Sequence, residues 1–523
     1  MCSGTNLQSA TFKLCNLMPH IFLYGPSGTG KSTIGQVLAE KLRLPFIDLD
    51  QVIETNAGMP VPQIMEIQGE GAFRDLETSA LKSLLNEKDS VIALGGGTLL
   101  REENRQFAEQ NGKIILLTAE FDTLLARLES DSNQRPLLAG DLRERLSSML
   151  AKRGEHYASF THQLDVDGGS VEQIVHQLQI DLGRHHLSAM GEYDVIVGRV
   201  SSLTTFPMQN PIIVTDTNVA KFHLAAVASA LQAAGHRSNN VILPAGEENK
   251  NLELVSCLWK DFLENGLDRR STVIAIGGGV VSDMAGFAAS TYMRGIDWIA
   301  VPTTLLAMVD ASLGGKTGID LPEGKNLVGS FHPPKLVLAD PSLLLTLPKR
   351  ELVSGMAEVV KHGIIADPEL FWMYKKGMDW VKANLETIVK RAMAVKIKVI
   401  EEDPYEQGVR AALNFGHTVG HAVELVSNFE LRHGEAIAIG MVAEARYAER
   451  TGIARKGVAD MIEEVLSRLG LPAEIPDELP REEIIRAMRV DKKRTARVIR
   501  FALPVEIGKV ELVDVSDLED VLK

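Results

Sequence analysis

Residues 21–41 run IFLYGPSGTGKSTIGQVLAEK: a short apolar run, a glycine-rich loop, then apolar residues at helical spacing. A run of this length ending in glycine reads as a buried parallel strand. The pattern GxxxxGK[ST], from Gly25 to Ser32, in a strand–loop–helix setting marks a phosphate-binding loop on a parallel α/β sheet. Its glycines let backbone N–H groups face a β-phosphate. Lys31 reaches the β- and γ-phosphates, and the Ser32 hydroxyl is placed for Mg2+. Gly28, Thr29, Gly30, Lys31, Ser32 and Thr33 are the expected ATP contacts. This stretch specifies a nucleotide phosphate and says little about the acceptor.

Downstream stretches narrow the acceptor. PFIDLD (45–50) reads as a second strand with Asp48 and Asp50 on one face, fit for Mg2+ water and a substrate hydroxyl. EGAFRDLE (70–77) puts Arg74 at a helix start. SVIALGGG (90–97) is a third strand opening into side-chain-free backbone at Gly95–Gly97, where a small ligand can come close. SDSNQRPLLAGD (130–141), with Arg135, reads as a mobile lid. RGEHYASF (153–160) offers Arg153 and Tyr157 on one helical face. In this order, over about 165 residues, these motifs resemble shikimate kinase. That resemblance implies phosphorylation of the 3-hydroxyl of shikimate by MgATP. It implies Asp50 at the reacting hydroxyl, acting as base, and Asp48 with Ser32 near Mg2+. It places Arg74, Gly96 and Arg153 around the substrate, with both guanidinium groups on its carboxylate. Lys31 and Arg135 stabilise the transferring phosphoryl group. A departure is Gly154-Glu155-His156 after Arg153, where the family pattern has a proline.

LGRHHLSAMG (182–191) is short and polar between glycines and reads as a linker, with His185 and His186 a solvated pair. Strands follow at PIIVTDTNVA (211–220), VILPAGEENK (241–250) and STVIAIGGGVVSDMAGFAAS (271–290). The last repeats the logic of a dinucleotide site, a strand running through glycines onto a helix N-terminus. It lacks the full GxGxxG fingerprint, since Ser282 stands where the final glycine belongs. Asp283 on the first turn suits either a ribose contact or simple interaction with the helix dipole. Arg294, Asp310, Lys316, Lys325 and Asn326 lie among glycines in 292–334, and the lysines there read as anion ligands. After SGMAEVVKHGI (354–364) the composition turns to amphipathic helices at 369–401, 409–428, 434–452 and 456–469. The tail at 490–512 contains Lys492 and ends strand-like.

The stretch LNFGHTVGHAVELVSNFELRHGEA (413–436) contains His417, His421 and His433, with Glu424 and Glu435 nearby. His417 and His421 are four residues apart and share a helix face. Such imidazoles suit a divalent transition metal, zinc above all, or simply pack a helix. With GGGVVSDMAGF, PTTLLAMVDASLGGKTGID and GMAEVVKHG, this stretch resembles 3-dehydroquinate synthase over about residues 190–515. That resemblance implies catalytic NAD, one divalent metal, and conversion of 3-deoxy-arabino-heptulosonate 7-phosphate to 3-dehydroquinate plus phosphate. It implies Glu358, His417 and His433 as metal ligands. It places Asp310, Lys316, Lys361 and His421 in catalysis, and Arg294, Asn326, Lys396, Arg410, Asn414 and Lys492 on the substrate's phosphate, carboxylate and hydroxyls. Glu247, Lys250, Gly278, Gly279, Asp283, Thr303, Thr304, Lys316, Lys325 and Thr346 are its NAD candidates.

The expected architecture is α/β. Residues 1–18 form an extension, 19–184 a P-loop kinase domain with a parallel sheet, and 185–191 a linker. Residues 192–345 form a Rossmann-like NAD-binding half and 346–523 a mainly helical metal-binding half. A chain of 523 residues is long enough for several separate cores. A formal charge of −14 and 5% aromatic residues argue against a nucleic-acid partner. No apolar run reaches the roughly 18 residues that span a membrane. The scattered Cys2, Cys15 and Cys257 and the lack of a leader point to a reducing, cytoplasmic setting. A homodimer through the synthase half is the family's implication. Two other readings are a polyol dehydrogenase in the second half and a nucleotide sensor in the first.

Overall fold

The residues ahead of the glycine-rich loop form β1 (His20–Tyr24), buried along its whole length. β1 is the middle strand of a five-stranded parallel sheet with β2 (Phe46–Asp48), β3 (Val91–Ala93), β4 (Gly112–Thr118) and β5 (Gln163–Asp165), in the order β2-β3-β1-β4-β5. Burial on both faces explains the uninterrupted apolar runs. Phe22 and Tyr24 pack with Leu49, Ile53, Phe73 and Ile92 in the core. The computed structural model describes residues 20–130, 141–491 and 498–523. Arg135 and Lys492 lie outside the described residues, as do residues 131–140 of the stretch expected to form a lid. The chain divides into two units, Met1–Gln179 and Ile180–Lys523.

In the first unit the loop leaves β1 through Gly25 (φ 141°), where a Cβ would fall 2.2 Å from the Leu117 carbonyl oxygen. Only glycine fits that approach. The loop then feeds the helix Lys31–Lys41. Asp48 and Asp50 do not share a strand face as expected. The strand stops at Asp48, which caps the helix Leu49–Ala57 by accepting a hydrogen bond from the Asp50 N–H at 3.1 Å. The short carboxylate satisfies an otherwise orphaned helix donor, and this capping overrides the strand pattern. The helix Val61–Ser83 kinks at Gly69 (φ 84°), so Arg74 falls in the first turns of its second piece, as expected. The helix Leu142–Ala158 carries Arg153, His156 and Tyr157.

The second unit is built on a seven-stranded sheet. Its strands are β6 (Arg184–Leu187), β7 (Tyr193–Val197), β8 (Ile212–Asp216), β9 (Asn239–Leu243), β10 (Thr272–Gly277), β11 (Asp297–Pro302) and, after the separate hairpin β12 (Lys316–Leu321) and β13 (Gly324–Phe331), β14 (Leu336–Ala339). The order is β6-β7-β14-β11-β10-β8-β9, parallel except for β6. The expected linker is therefore partly structured. Arg184–Leu187 pairs antiparallel with β7, His185 is buried, and His186 Nδ1 lies 2.8 Å from Asp194 Oδ1. Edge pairing of the backbone, not solvation, decides that segment.

The helical half comprises Lys349–Ile365, Pro368–Met373, Met378–Ala383, Leu385–Glu402, His417–Val426, His433–Arg450, Val458–Leu469 and Arg481–Asp491. It closes on a hairpin of β15 (Ile499–Glu506) and β16 (Lys509–Val515). The single helix expected over 369–401 is three, interrupted at Gly377 (φ 85°) and at Asn384. The helix expected over 409–428 breaks at Gly416 (φ 77°), so the new helix begins at His417. Among the described residues no helix is long and apolar enough to cross a membrane.

Candidate active sites

In the first unit, a cleft of about 910 Å3 opens above the glycine-rich loop. It is lined by Gly28, Gly30, Lys31, Ser32 and Thr33, and by Asp48, Asp50, Arg74, Gly96 and Arg153. Thr29 is the exception among the expected ATP contacts: its buried hydroxyl donates to the Pro26 carbonyl at 2.9 Å, inside the loop. Lys31 Nζ donates to the Gly25 and Pro26 carbonyls, each at 2.9 Å, so the cation rests on its own loop. The Ser32 hydroxyl donates to Asp48 Oδ2 at 2.6 Å, which gathers a hydroxyl and a carboxylate beside the loop, a pairing that suits Mg2+. Among the described residues, Asp50 Oδ1 is buried with no hydrogen-bond partner. Burial, with Asp48 and Glu77 nearby, pushes the Asp50 carboxyl up to about 6 against the pull of Lys31.

Arg74 is held by Glu77 Oε2 at 2.5 Å and Glu70 Oε1 at 3.0 Å. Glu77 is buried and also accepts from the Thr98 hydroxyl at 2.6 Å. The Gly96 carbonyl receives Tyr157 Oη at 2.8 Å, Arg153 at 3.0 Å and Tyr24 Oη at 3.3 Å. These donors fix the glycine-rich turn along one wall of the cleft. Sequence reasoning missed Tyr24 and Glu77. Glu77 had a signal, its i,i+3 spacing from Arg74 on a helix; Tyr24, inside an apolar strand, had none.

In the second unit, a cleft of about 630 Å3 takes residues from both halves. Asp283, Asp310, Lys316 and Asn326 come from the α/β half. Lys361, Lys396, Arg410, Asn414, His417, His421 and His433 come from the helical half. The histidines meet because two helices approach closely. A Cβ at Gly440 would lie 2.0 Å from the Gly416 carbonyl oxygen, so the helices His417–Val426 and His433–Arg450 pack backbone to backbone. Buried Glu444 accepts from the Gly416 N–H at 2.7 Å and the Val419 N–H at 3.2 Å, capping the helix that starts at His417. Glu435 caps the other helix, accepting from the Arg432 N–H at 2.9 Å.

Glu358 Oε1 lies 3.5 Å from His417 Nε2 and 3.4 Å from His433 Nε2, and among the described residues it is buried with no hydrogen-bond partner. His417 Nδ1 is 3.1 Å from the Phe415 carbonyl oxygen, which places the proton on Nδ1 and turns the Nε2 lone pair toward Glu358. A buried, orphaned carboxylate oxygen facing two imidazole nitrogens fits a divalent metal. Burial would raise the Glu358 carboxyl, but Lys361, His433 and His417 hold it well below the usual range. Burial also opposes charge on His433, yet Glu358 and Glu424 push it up to about 9.

Around this cluster Lys396 Nζ donates to Asp310 Oδ1 at 2.6 Å and to the Asp310 carbonyl at 2.7 Å. Lys316 pairs with Glu406 at 2.7 Å, and Asn414 Nδ2 lies 3.4 Å from the same carboxylate. Arg410 is buried, its guanidinium on the Pro404 carbonyl. On the other side, buried Lys250 donates to Asp283 Oδ2 at 2.6 Å and Asn326 Oδ1 at 2.5 Å. Burial pushes the Asp283 carboxyl up to about 6 despite Lys250.

The family models for the N-terminal and C-terminal parts of 3-dehydroquinate synthase match residues 240–354 and 355–494. The 3-dehydroquinate synthase of Symbiobacterium thermophilum is 47% identical over 311 residues, 58% of this chain and 87% of that protein. The chain belongs to the 3-dehydroquinate synthase family. The model for shikimate kinase matches residues 27–182, so the first unit is a shikimate kinase domain. The chain thus joins a kinase to a dehydroquinate synthase. A 2-deoxy-scyllo-inosose synthase solved with carbaglucose-6-phosphate, NAD+ and Co2+ is 28% identical, with a TM-score of 0.59 over 64% of this chain and 96% of its own. The 2-epi-5-epi-valiolone synthase of Streptomyces hygroscopicus subsp. jinggangensis, with NAD+ and Zn2+ bound, is 28% identical at a TM-score of 0.58, covering 63% and 94%.

Most expected synthase residues gather at this cleft or at the Lys250 cluster beside it; some do not. Gly278 and Gly279 start the helix after β10, and a Cβ on Gly278 would touch Thr304. Thr303 is buried with its hydroxyl unpartnered among the described residues. Glu247 sits one turn before Lys250. Lys325 pairs with Glu424 at 3.0 Å. Arg294 lies on an exposed turn (φ 70°) and does not line the cleft. Thr346 bonds His223 Nε2 at 2.8 Å and the Leu343 carbonyl at 3.0 Å, outside the Lys250 group. Glu406 and Asp320 were missed; each lies in a polar loop or hairpin with no pattern to single it out.

Proposed function

We propose that this chain carries out two reactions: ATP-dependent 3-O-phosphorylation of shikimate, and conversion of 3-deoxy-arabino-heptulosonate 7-phosphate to 3-dehydroquinate and phosphate. The observation that carries the second is the meeting, in one cleft, of the Glu358–His417–His433 cluster with Lys361, Lys396, Arg410 and His421. Simple polyols need no such set of lysine and arginine cations, which favours a phosphorylated sugar acid.

In the kinase cleft, the backbone of Gly28–Thr33 and Lys31 receives the ATP phosphates, with Lys31 exchanging its loop carbonyls for phosphate oxygens. Ser32 and Asp48 hold Mg2+. Asp50 takes the proton of the substrate hydroxyl, and its raised carboxyl makes it a better base. Arg74 and Arg153 bind the carboxylate, and Arg135 closes on the transferring group.

In the synthase cleft, Glu358, His417 and His433 hold a divalent metal, zinc by the donor set, and Glu247, Lys250, Asp283, Gly278, Gly279, Thr303 and Thr304 hold NAD. When bound, the metal acidifies the substrate hydroxyl, and NAD takes up and returns the hydride. Asp310 and Lys361 orient the reacting hydroxyl. Lys396, Arg410 and Asn414 hold the carboxylate and hydroxyls. Lys316, Asn326 and His421 hold the leaving phosphate, and Lys492 is assigned to it as well. Association of two copies through the second unit is supported by its edge strand β9, where Ile242 is exposed, beside the helix Leu252–Glu264, which exposes Leu252 and Leu263. Light scattering of the purified chain tests that association.

The deciding assay is phosphate release from the heptulosonate phosphate, with and without chelator and NAD. Chelator-sensitive release without net NADH is expected; no release by folded, metal- and NAD-replete protein overturns the synthase reading. Shikimate-dependent ADP formation tests the kinase. Binding of ATP with no turnover of shikimate would leave only a sensor.

A further inference from the structure

Glu424 has no part in the chemistry above, yet it stands where the helical half meets the β12–β13 hairpin. It lies on the helix that begins at His417, and its side chain is one-tenth exposed. Oε2 is 3.4 Å from His433 Nδ1, on the far side of the ring from Glu358. Oε1 accepts from Lys325 Nζ at 3.0 Å, and Lys325 also sits 4.3 Å from the centre of the Phe429 ring.

Two donor groups share His433: Glu358–His417–His433 and His421–Glu424–His433. Each carboxylate carries a lysine on one oxygen, Lys325 on Glu424 and Lys361 on Glu358. The other oxygen of Glu358 faces the Nε2 atoms of both His417 and His433, at 3.5 and 3.4 Å, while that of Glu424 meets Nδ1 of His433 at 3.4 Å. The metal therefore belongs on the Glu358 side, facing Nε2. Glu424 then occupies the place of a carboxylate that fixes the tautomer and ring angle of a ligating imidazole through its other nitrogen.

The next hairpin residue faces the nucleotide side. Asn326, in a left-handed conformation (φ 56°), accepts from Lys250 through Oδ1 at 2.5 Å and donates its N–H to Asp320 Oδ1 at 2.7 Å. Lys250 in turn holds Asp283. Adjacent residues of one strand thus touch both clusters.

We propose that Glu424 is a positioning residue that orients His433 through Nδ1, and that Lys325 fastens it to the hairpin, so that NAD and the metal each strengthen the other's binding. This rests on the Glu358–His417–His433 reading. NAD seated on Lys250, Asp283 and Asn326 pins the hairpin where Lys325 meets Glu424, and by linkage the benefit is reciprocal.

The test is a zinc titration of the metal-free full chain against a chromophoric chelator, with and without saturating NAD, in wild type, Glu424→Gln, Glu424→Asp, Lys325→Met and Glu358→Gln. Thermal melts confirm that each variant is folded. Glu424→Gln is expected to bind zinc about 10- to 100-fold more weakly, with partial recovery in Glu424→Asp. NAD is expected to tighten zinc at least about fivefold in wild type and to have little effect in Lys325→Met. Wild-type zinc affinity in Glu424→Gln overturns the positioning role, and an undiminished NAD effect in Lys325→Met overturns the link. If Glu424→Gln loses the metal while Glu358→Gln keeps it, the metal sits on the other donor group and the inference fails. A wild-type chain that binds no zinc sinks the metal reading itself. If Glu424→Gln does not fold, Glu424→Asp and Lys325→Met decide.

Discussion

Asp50 shows what a single buried carboxylate does to both stability and chemistry. Its folded value near 6 lies above the ordinary 3.8, so the folded chain binds its proton more tightly than the unfolded chain. The sign follows: this group favours folding below about pH 4, and that contribution is lost as pH rises through 6. Asp50→Asn is expected to abolish shikimate phosphorylation. It should also stabilise the first unit at pH 7.5 by up to about 3 kcal/mol, a gain that vanishes near pH 4. Melting of the full chain at both pH values, read beside ADP formation, checks both halves of the expectation. In wild type, the kinase rate should fall about tenfold per pH unit below 6. His433 makes a second case. In the metal-free chain its imidazolium persists to about pH 9, and a metal must displace the Nε2 proton. Zinc affinity should drop about tenfold per pH unit below 9, with release of about one proton per metal at pH 7; calorimetry in buffers of different ionisation enthalpy measures that proton.

At the scale of elements, the Glu358–His417–His433 cluster depends on two helices packed through glycine. Gly440→Ala forces a methyl against the Gly416 carbonyl and should cost about 1–3 kcal/mol, with the helix pair spreading and zinc binding weakening. A melt of the second unit that is unchanged, with unchanged zinc affinity, would remove the packing argument. The local sequence showed much of this region. The spacing of His417 and His421 on one face was legible, and so was the strand–glycine–helix turn at Gly278. What was not legible depended on capping and breaking. Asp48 ended its strand by binding the Asp50 N–H, Gly377 divided a long amphipathic run, and Arg184–Leu187 became an edge strand because β7 lay alongside. In each case a backbone hydrogen bond or a left-handed glycine outweighed side-chain periodicity, which is all that pattern reading sees. The assignment of Glu358 to the cluster came from family resemblance; nothing in the spacing alone ties it to histidines about sixty residues on.

At the scale of the whole chain, the described parts of each cleft come from one unit only: 27–153 for the kinase, 283–433 for the synthase. The two activities should therefore be separable by substitution. Lys31→Ala is expected to remove ADP formation and leave phosphate release within about twofold of wild type, and His433→Gln should do the reverse. Cross-effects larger than tenfold in either variant would show that the units are energetically coupled.

The lysines in and beside the synthase cleft arrive already matched: Lys250 with Asp283, Lys316 with Glu406, Lys325 with Glu424, Lys361 with Glu358, Lys396 with Asp310. The cavity consequently presents little net field to an approaching polyanion, on a chain whose overall charge is −14. Recognition of a polyanion is then expected to work by exchange of partners at close range, not by attraction from a distance. The rate of capture should then depend only weakly on ionic strength, with kcat/KM changing by no more than about threefold between 50 and 500 mM KCl. Such a cleft selects by the geometry of what can replace a resident carboxylate, and small inorganic anions at cellular concentrations should compete poorly for it.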